Sequence, residues 1–423
     1  MARLLYIAHR VPYPPDKGER VRAFQEVLAL GDHFQVTVAA LSHGAADIAA
    51  APELACHCHK VITAPAGGKV GLLRGGVALL AGKSVTEGYF RSRRLARLIA
   101  AEAAQQPFDL VMCYSSSTLP YALAAPARAR IADLGDVDSA KWQAYARDSR
   151  WPRSWLYARE AAGVRKLEIR AVQRCQAVLM VSPAEVDALG LDDDNVLAVA
   201  NGVDSQFFAP GAAEPVDAGQ AALVFTGTMD YRPNIEGVCW FVREVWPGLK
   251  AEVPEATFTI VGRDPAPAVR RLERNAGVTV TGTVPDVRPY LEAAAVVVCP
   301  LHIARGLQNK VLEAMAMGKA VVASPDGLEG IDLRPGHDAV QADSPATWRE
   351  GIIRLLGDAQ GRIAMGQAAR SCVQTKYTWS ACMAPLVSLC LRLLGQTAER
   401  PAVPHRLAGA GQRRTTHKAH WRD

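Results

Sequence analysis

The stretch Ala293-Ala-Ala-Val-Val-Val-Cys-Pro300, Leu301-His-Ile-Ala-Arg-Gly-Leu-Gln-Asn-Lys310, Val311-Leu-Glu-Ala-Met-Ala-Met-Gly-Lys319, Ala320-Val-Val-Ala-Ser-Pro-Asp326 reads as strand, loop, helix, strand. Val296 to Cys299 is an uninterrupted apolar run, as expected of a parallel strand covered on both faces. Asn309 to Met317 has helix-forming composition, and Gly318 stands where a glycine ends helices. Ala320 to Ala323 is the next strand, stopped by Ser-Pro. The polar loop therefore lies at the carboxyl end of a parallel strand and feeds a helix start. Open α/β sheets bind ligands at that end, and helix starts favour anions. An ordinary βαβ unit with no ligand fits the pattern as well.

Outward from this unit the same rhythm recurs. Leu4–Ala8 is a buried strand, followed by the Pro-rich loop His9–Arg20 carrying Gly18, a helix from Val21 to Leu30 and a strand from Gln35 to Leu41. The loop lacks G-x-G-x-x-G, which disfavours a nicotinamide site. Its Lys-Gly-Glu-Arg could receive a phosphate or an acceptor, or simply start a solvated helix. Further strands are read at 108–113, from Ile131, at 177–181 and at 196–200. The strand from Ile131 ends in Asp133, Asp136 and Asp138. Carboxylates so placed suit acid–base work or holding hydroxyls, and capping the next helix is the competing job, expected of one of the three.

Ala209 to Ala222, rich in Ala, Gly and Pro, reads as the linker between two βα arrays. In the second array three strands end in glycine, at Gly227, Gly262 and Gly282. Glycine there lets a backbone approach a ligand closely. Arg232 and Arg263 follow two of these glycines. Two guanidinium forks could meet on phosphate oxygens, although either alone reads equally as a loop arginine.

Other features point to bland roles. Cys56-His-Cys-His59 has the wrong spacing for tetrahedral zinc, and alternation would put both cysteines on one face of an extended segment. The nine cysteines are odd in number and several lie in apolar runs, so a reducing compartment is expected rather than a disulfide framework. Gly67 to Ala101 sets basic residues beside apolar ones. An anionic membrane face and a core-packed helix with a solvated basic side both fit, the second slightly better. Charged content is 21% and net charge +6, part of it in a tail from Gln396 that reads as disordered, so nucleic acid is not indicated. Arg10 and Pro12 follow the first apolar run without a cleavage-type segment, and no run reaches about 18 apolar residues. A cytoplasmic protein is expected.

Asn201-Gly-Val-Asp204 with Phe207 and Pro210, then Phe225-Thr-Gly227, Ile260-Val-Gly262, Thr281-Gly282 and Glu313-Ala-Met-Ala-Met-Gly318 with Val321-Val322 resemble, in this order, the family 4 glycosyltransferases of the GT-B fold. The stretches at 13–20, 136–142, 227–234 and 304–317 are similar, more narrowly, to the sugar transferases associated with PEP-CTERM/exosortase exopolysaccharide systems. The resemblance implies an α/β chain of two Rossmann-like domains with parallel sheets facing a cleft. Residues 1–205 would form the acceptor domain and 206–375 the nucleotide-sugar donor domain. Residues 376–395 would form a helix returning to the first domain, and 396–423 the basic tail.

It further implies a retaining hexosyltransferase without metal or cofactor, whose co-substrate is a nucleotide-diphosphate sugar. Glu313 matches the second Glu of the family's E-x7-E motif, which holds the nucleotide ribose. The first Glu is here Arg305, which cannot accept a hydrogen bond and would instead meet diphosphate or an acidic sugar. Arg232 and Lys310 are diphosphate candidates. Gly306 and Leu307 offer loop amides, and Gly18 matches the glycine of the acceptor-side loop. Asp136 or Asp138 would replace a histidine that many relatives carry near Gly135. A lipid-linked saccharide acceptor at the inner face of a cell membrane would suit the basic-apolar region. A nucleotide-sugar epimerase of the same fold, or a non-catalytic scaffold of a polysaccharide assembly complex, are the alternatives.

Overall fold

A computed structural model describes residues 1–15, 18–191, 193–302 and 307–395. Thirteen strands among these residues form two separate parallel sheets. The first holds β1 (Arg3–Ala8), β2 (Gln35–Ser42), β3 (Lys60–Pro65), β4 (Phe108–Tyr114), β5 (Ala127–Gly135), β6 (Ala177–Met180) and β7 (Val196–Ala198), ordered β3-β2-β1-β4-β5-β6-β7. The second holds β8 (Ala222–Thr226), β9 (Thr257–Val261), β10 (Val278–Gly282), β11 (Val296–Cys299), β12 (Ala320–Ala323) and β13 (Val340–Gln341), ordered β10-β9-β8-β11-β12-β13. Each order reverses direction once, between β1 and β4 and between β8 and β11. At such a reversal the loops at the carboxyl ends splay apart and leave a crevice.

The opening stretch folds as read. β11 lies between β8 and β12, and all four of its residues are buried. The helix Asn309–Ala316 buries Val311, Leu312, Ala314 and Met315. Gly318 follows it with φ +67°, its N–H bonding the Met315 carbonyl and the Lys319 N–H the Ala314 carbonyl. That double closure is a Schellman motif, and its left-handed residue needs glycine.

Residues 209–221 carry no helix or strand. Their amides are clipped to the second domain, Gly211 to the Glu292 carboxylate at 3.0 Å and Val216 to the Pro289 carbonyl at 3.2 Å. The helix Trp379–Leu393 packs on the first domain's helix Gly18–Gly31, and the Cys382 thiol donates to the Asn201 carbonyl.

Two local expectations change. Cys56 and Cys58 do not share a face of an extended segment: Ala55–His57 is a 3-10 turn, because the chain must bend from the helix Ala45–Leu54 into β3. Within Gly67–Ala101 the helix Arg93–Gln105 buries Leu95, Ile99 and Ala103 and solvates its arginines, as the core-packed reading has it. The helix Gly68–Leu80 does the reverse. It buries Gly71, Gly75 and Ala78 and turns its larger apolar side chains outward.

A charged cluster lies in the first core. Arg22 is 1% exposed and donates to Asp133 at 2.6 and 2.9 Å, to the Val199 carbonyl at 2.9 Å and to Asn201 at 2.9 Å. Glu26 lies 3.2 Å from Arg22 and accepts from the Tyr6 hydroxyl at 2.6 Å. A buried charge persists only when so enclosed by partners. Asp133 is thereby committed to structure. None of the three acids caps the next helix: Val137 takes that position, and Glu185 and Glu168 accept the N–H groups of Val137 and Ser139.

Candidate active site

The carboxyl ends of β8, β9 and β10, with the start of the helix Asn309–Ala316, wall a cavity of about 600 Å³. Thr226, Gly227, Asn234, Arg263, Asn309, Lys310 and Glu313 line it from the second domain, Phe208 from the connecting segment, and Gly18 from the first. The site therefore lies between the two sheets.

Its electrostatics are those of a buried polar pocket. Lys310 donates to the Asn234 side-chain oxygen at 2.6 Å and sits 5.2 Å from the Phe225 ring centroid. Burial pulls its ammonium below the usual lysine value, opposed by Cys299 and Glu313. Burial pushes the Glu313 carboxyl up to about 7, against the pull of Lys310. Among the described residues Glu313 has no side-chain hydrogen bond or ion pair. Among these residues the Thr226 hydroxyl and the Asn309 side-chain Oδ1 are also buried without partners. Unsatisfied polar groups below the surface are rare in folded proteins, and three such groups around one cavity fit a polar ligand. An arriving anion would favour charged Lys310, and ligand hydroxyls would favour the ionised Glu313.

The loops are held by close backbone contact. A Cβ on Gly262 would stand 1.6 Å from the Gly227 carbonyl oxygen, and one on Gly227 2.8 Å from the Asn234 amide nitrogen. The Gly227 N–H bonds Val261, and Asn234 donates to the Thr228 carbonyl at 2.9 Å. These glycines thus bring protein loops together. Gly282, at φ +71°, lies beside the cavity, whose wall is made by Thr283 and Val284.

Of the residues singled out from sequence, the structure gathers Gly18, Gly227, Arg263, Lys310 and Glu313 around this cavity. Leu307 does not line it, and Arg305 and Gly306 fall outside the described residues. Arg232 stands away from the lining, at the start of the helix Arg232–Trp240. It is exposed and bound by Glu236 at 2.7 Å and, across the gap, by Asp148 of the first domain at 2.9 Å. The two arginines therefore do not converge. Asp136 and Asp138 sit opposite, at the carboxyl end of β5, where burial raises both carboxyls. Burial raises the Tyr231 phenol, and Tyr145 and Asp136 of the first domain add to it, so this edge faces the second domain's Thr228–Tyr231 turn. Asn234, Thr226, Asn309 and Phe208 were not anticipated. Asn234 closes the Arg-Pro-Asn run of the glycine loop, and that was its one signal.

Two parallel sheets with a polar cavity at their facing carboxyl ends define the GT-B glycosyltransferase fold. Residues 220–358 match the family model described as Glycosyl transferases group 1. The whole chain resembles sucrose-phosphate synthase from Thermosynechococcus elongatus (TM-score 0.67, 17% identity, 93% of this chain and 99% of that one). It also resembles Anabaena HepE in complex with UDP (TM-score 0.60, 15%, 92% and 99%). A third likeness is WaaG, a glycosyltransferase involved in lipopolysaccharide biosynthesis (TM-score 0.61, 13%, 92% and 99%). An uncharacterized glycosyltransferase of Methanocaldococcus jannaschii is 29% identical over 111 residues, which is 25% of this chain and only 28% of that relative's length. The chain thus has the GT-B fold, and its residues 220–358 are similar to the glycosyl transferases group 1.

Proposed function

We propose that this protein is a retaining glycosyltransferase that moves a sugar from a nucleoside-diphosphate sugar to an acceptor in exopolysaccharide biosynthesis, without a metal. The observation that carries the reading is the cavity itself: Lys310 and the unpartnered Glu313 face one space closed from the first domain by Gly18. Anabaena HepE, of the same fold, was captured with UDP and with UDP-glucose, which supports such a donor here. Glu313 accepts ribose hydroxyls. Lys310, with Arg263 and the start of the helix Asn309–Ala316, receives the diphosphate.

In the transfer the bond from the sugar's anomeric carbon to the phosphate oxygen breaks, and its electron pair leaves with the nucleoside diphosphate. The acceptor oxygen bonds to that carbon from the same face, and its proton passes to the departing phosphate. Lys310 meets the developing charge, the work that a divalent cation performs in other transferases. Among the described residues no group of three or more His, Cys, Asp or Glu could hold a metal ion. Arg232, held by Asp148 and Glu236, serves first to latch the domains, and release from Asp148 would free it for the diphosphate. Asp136 and Asp138 orient the acceptor. The stretches similar to those of PEP-CTERM-associated transferases support an exopolysaccharide role, and the basic-apolar region 72–100 suits an acceptor carried on lipid. No described helix is long and apolar enough to cross a membrane, so a lipid-borne acceptor would be met at the bilayer surface.

The test is product analysis with a panel of nucleotide-sugars and an extract of lipid-linked saccharides. Transfer lost in Lys310→Ala and Glu313→Ala is expected. Near-wild-type turnover in both, or epimerised sugar formed from donor alone, removes the assignment.

A further inference from the structure

The helix Gly68–Leu80 is held to the first domain by its small residues. A Cβ on Gly75 would stand 2.8 Å from the Val85 side chain, and one on Gly71 3.1 Å from Tyr89. The opposite face carries Leu73 and Leu80, 72% and 88% exposed, flanked by Val70, Leu72 and Val77, each more than half exposed. At about 3.6 residues per turn, Lys69, Leu73, Gly76 and Leu80 form one outward line. Such a face has no role in the fold, and it leaves a contiguous apolar surface in water.

The face continues onto the helix Arg153–Arg174. Arg159 donates to the Leu79 carbonyl at 3.3 Å, and Trp155, one turn before it, is exposed along with Trp151. Amphipathic indoles suit the boundary between hydrocarbon and headgroups. Residues 66–86 contain Lys69, Arg74 and Lys83, of which Lys83 is paired with Glu87 at 2.8 Å. Arg147, Arg150 and Arg153 border the tryptophans. We infer that this face docks on an anionic phospholipid bilayer, with Leu73, Leu80 and the tryptophans at the acyl boundary and the basic groups among the headgroups. A second copy of the chain fits less well, since a two-fold contact through this helix would set its cations against their own equivalents.

The face also opens toward the site. A mostly apolar groove of about 210 Å³, lined by Tyr89, Phe90, Trp142, Leu156 and Tyr157, lies beside it. Trp142 belongs to the helix Asp138–Arg147, whose first turn bears Asp138. A lipid tail in this groove would bring its head toward the domain gap. That use rests on the transferase reading, whereas the docking does not.

Flotation of the full chain with vesicles, without any donor, separates the two. With phosphatidylglycerol-containing vesicles at low salt the protein should float. With phosphatidylcholine alone, or with Leu73→Glu/Leu80→Glu, the partition should fall on the order of tenfold or more, and Lys69→Ala/Arg74→Ala should reduce its salt sensitivity. Both leucines are exposed, so the variant's melting temperature and its stabilisation by nucleotide-sugar should match wild type. A wild-type protein that stays at the bottom of the gradient, a leucine variant that floats equally, or a dimer in light scattering dispersed by the same variant would each overturn the inference.

Discussion

Glu313→Gln keeps the side chain's shape and removes the charge that burial disfavours. The wild-type carboxyl titrates near 7 instead of near 4.5. Its folded-state value is raised, so between about 4.5 and 7 the folded chain binds more protons than the unfolded one, and stability falls as pH rises through that window. At about 1.36 kcal/mol per unit, the loss comes to about 3 kcal/mol above pH 7. Glutamine has no proton to lose in this range. At pH 8 the ligand-free variant should therefore melt higher than wild type, by roughly 6–12 °C in the second domain's transition, while at pH 4.5 the two should agree. Donor binding should move the opposite way. A carboxylate accepting ribose hydroxyls contributes about 1.5–3 kcal/mol, so the variant should bind nucleotide-sugar roughly 10- to 150-fold more weakly at pH 8. Wild-type affinity should itself decline below pH 7 as the carboxyl protonates. Scanning calorimetry at two pH values and titration calorimetry at pH 8 read both effects. Identical melting at pH 8 together with unchanged affinity would refute the reasoning.

Lys310→Ala should lower turnover by roughly 10²–10³, the usual result of removing one fixed positive group or donor from a developing oxyanion, measured by initial rates at saturating donor. Arg232→Ala and Asp148→Ala should each leave the melting temperature nearly unchanged, since their pair is exposed and screened, and each should reduce turnover by about tenfold or less with no additivity in the double variant. Arg22→Met leaves Asp133 and Glu26 buried without their cation and should cost about 3–5 kcal/mol in urea unfolding. Gly262→Ala forces the β8 and β9 loops apart and should cost about 3 kcal/mol and weaken donor binding, both visible by thermal shift.

The two-sheet architecture was legible because parallel strands buried on both faces must be continuous apolar runs. Val296–Cys299 and Ala320–Ala323 are found where they were expected, and Gly318 ends its helix with the left-handed turn only glycine takes readily. Five candidate residues meet at one cavity because strand carboxyl ends converge there by topology. Side-chain direction was less legible. Arg232 and Arg263 follow glycines in equivalent loops, yet Arg232 starts a helix whose next turn offers Glu236, and the facing domain offers Asp148. Glu236 follows from i,i+4 spacing once the helix start is placed, whereas Asp148, from the other domain, does not. The helix Gly68–Leu80 departs from the slightly favoured core-packed reading for a related reason. Hydrophobic periodicity expects leucines to face the core, but Gly71 and Gly75 let this helix pack so closely on Val85 and Tyr89 that the leucines are left outside.

The central claim, that the cavity between the two sheets holds an activated sugar through Lys310 and Glu313, meets its most direct test in titration calorimetry of wild type and of Lys310→Ala/Glu313→Gln against a panel of nucleotide-sugars. The account predicts that at least one of these binds wild type and that the double variant loses that affinity by more than a hundredfold while remaining folded. Binding of equal strength in the double variant would contradict it.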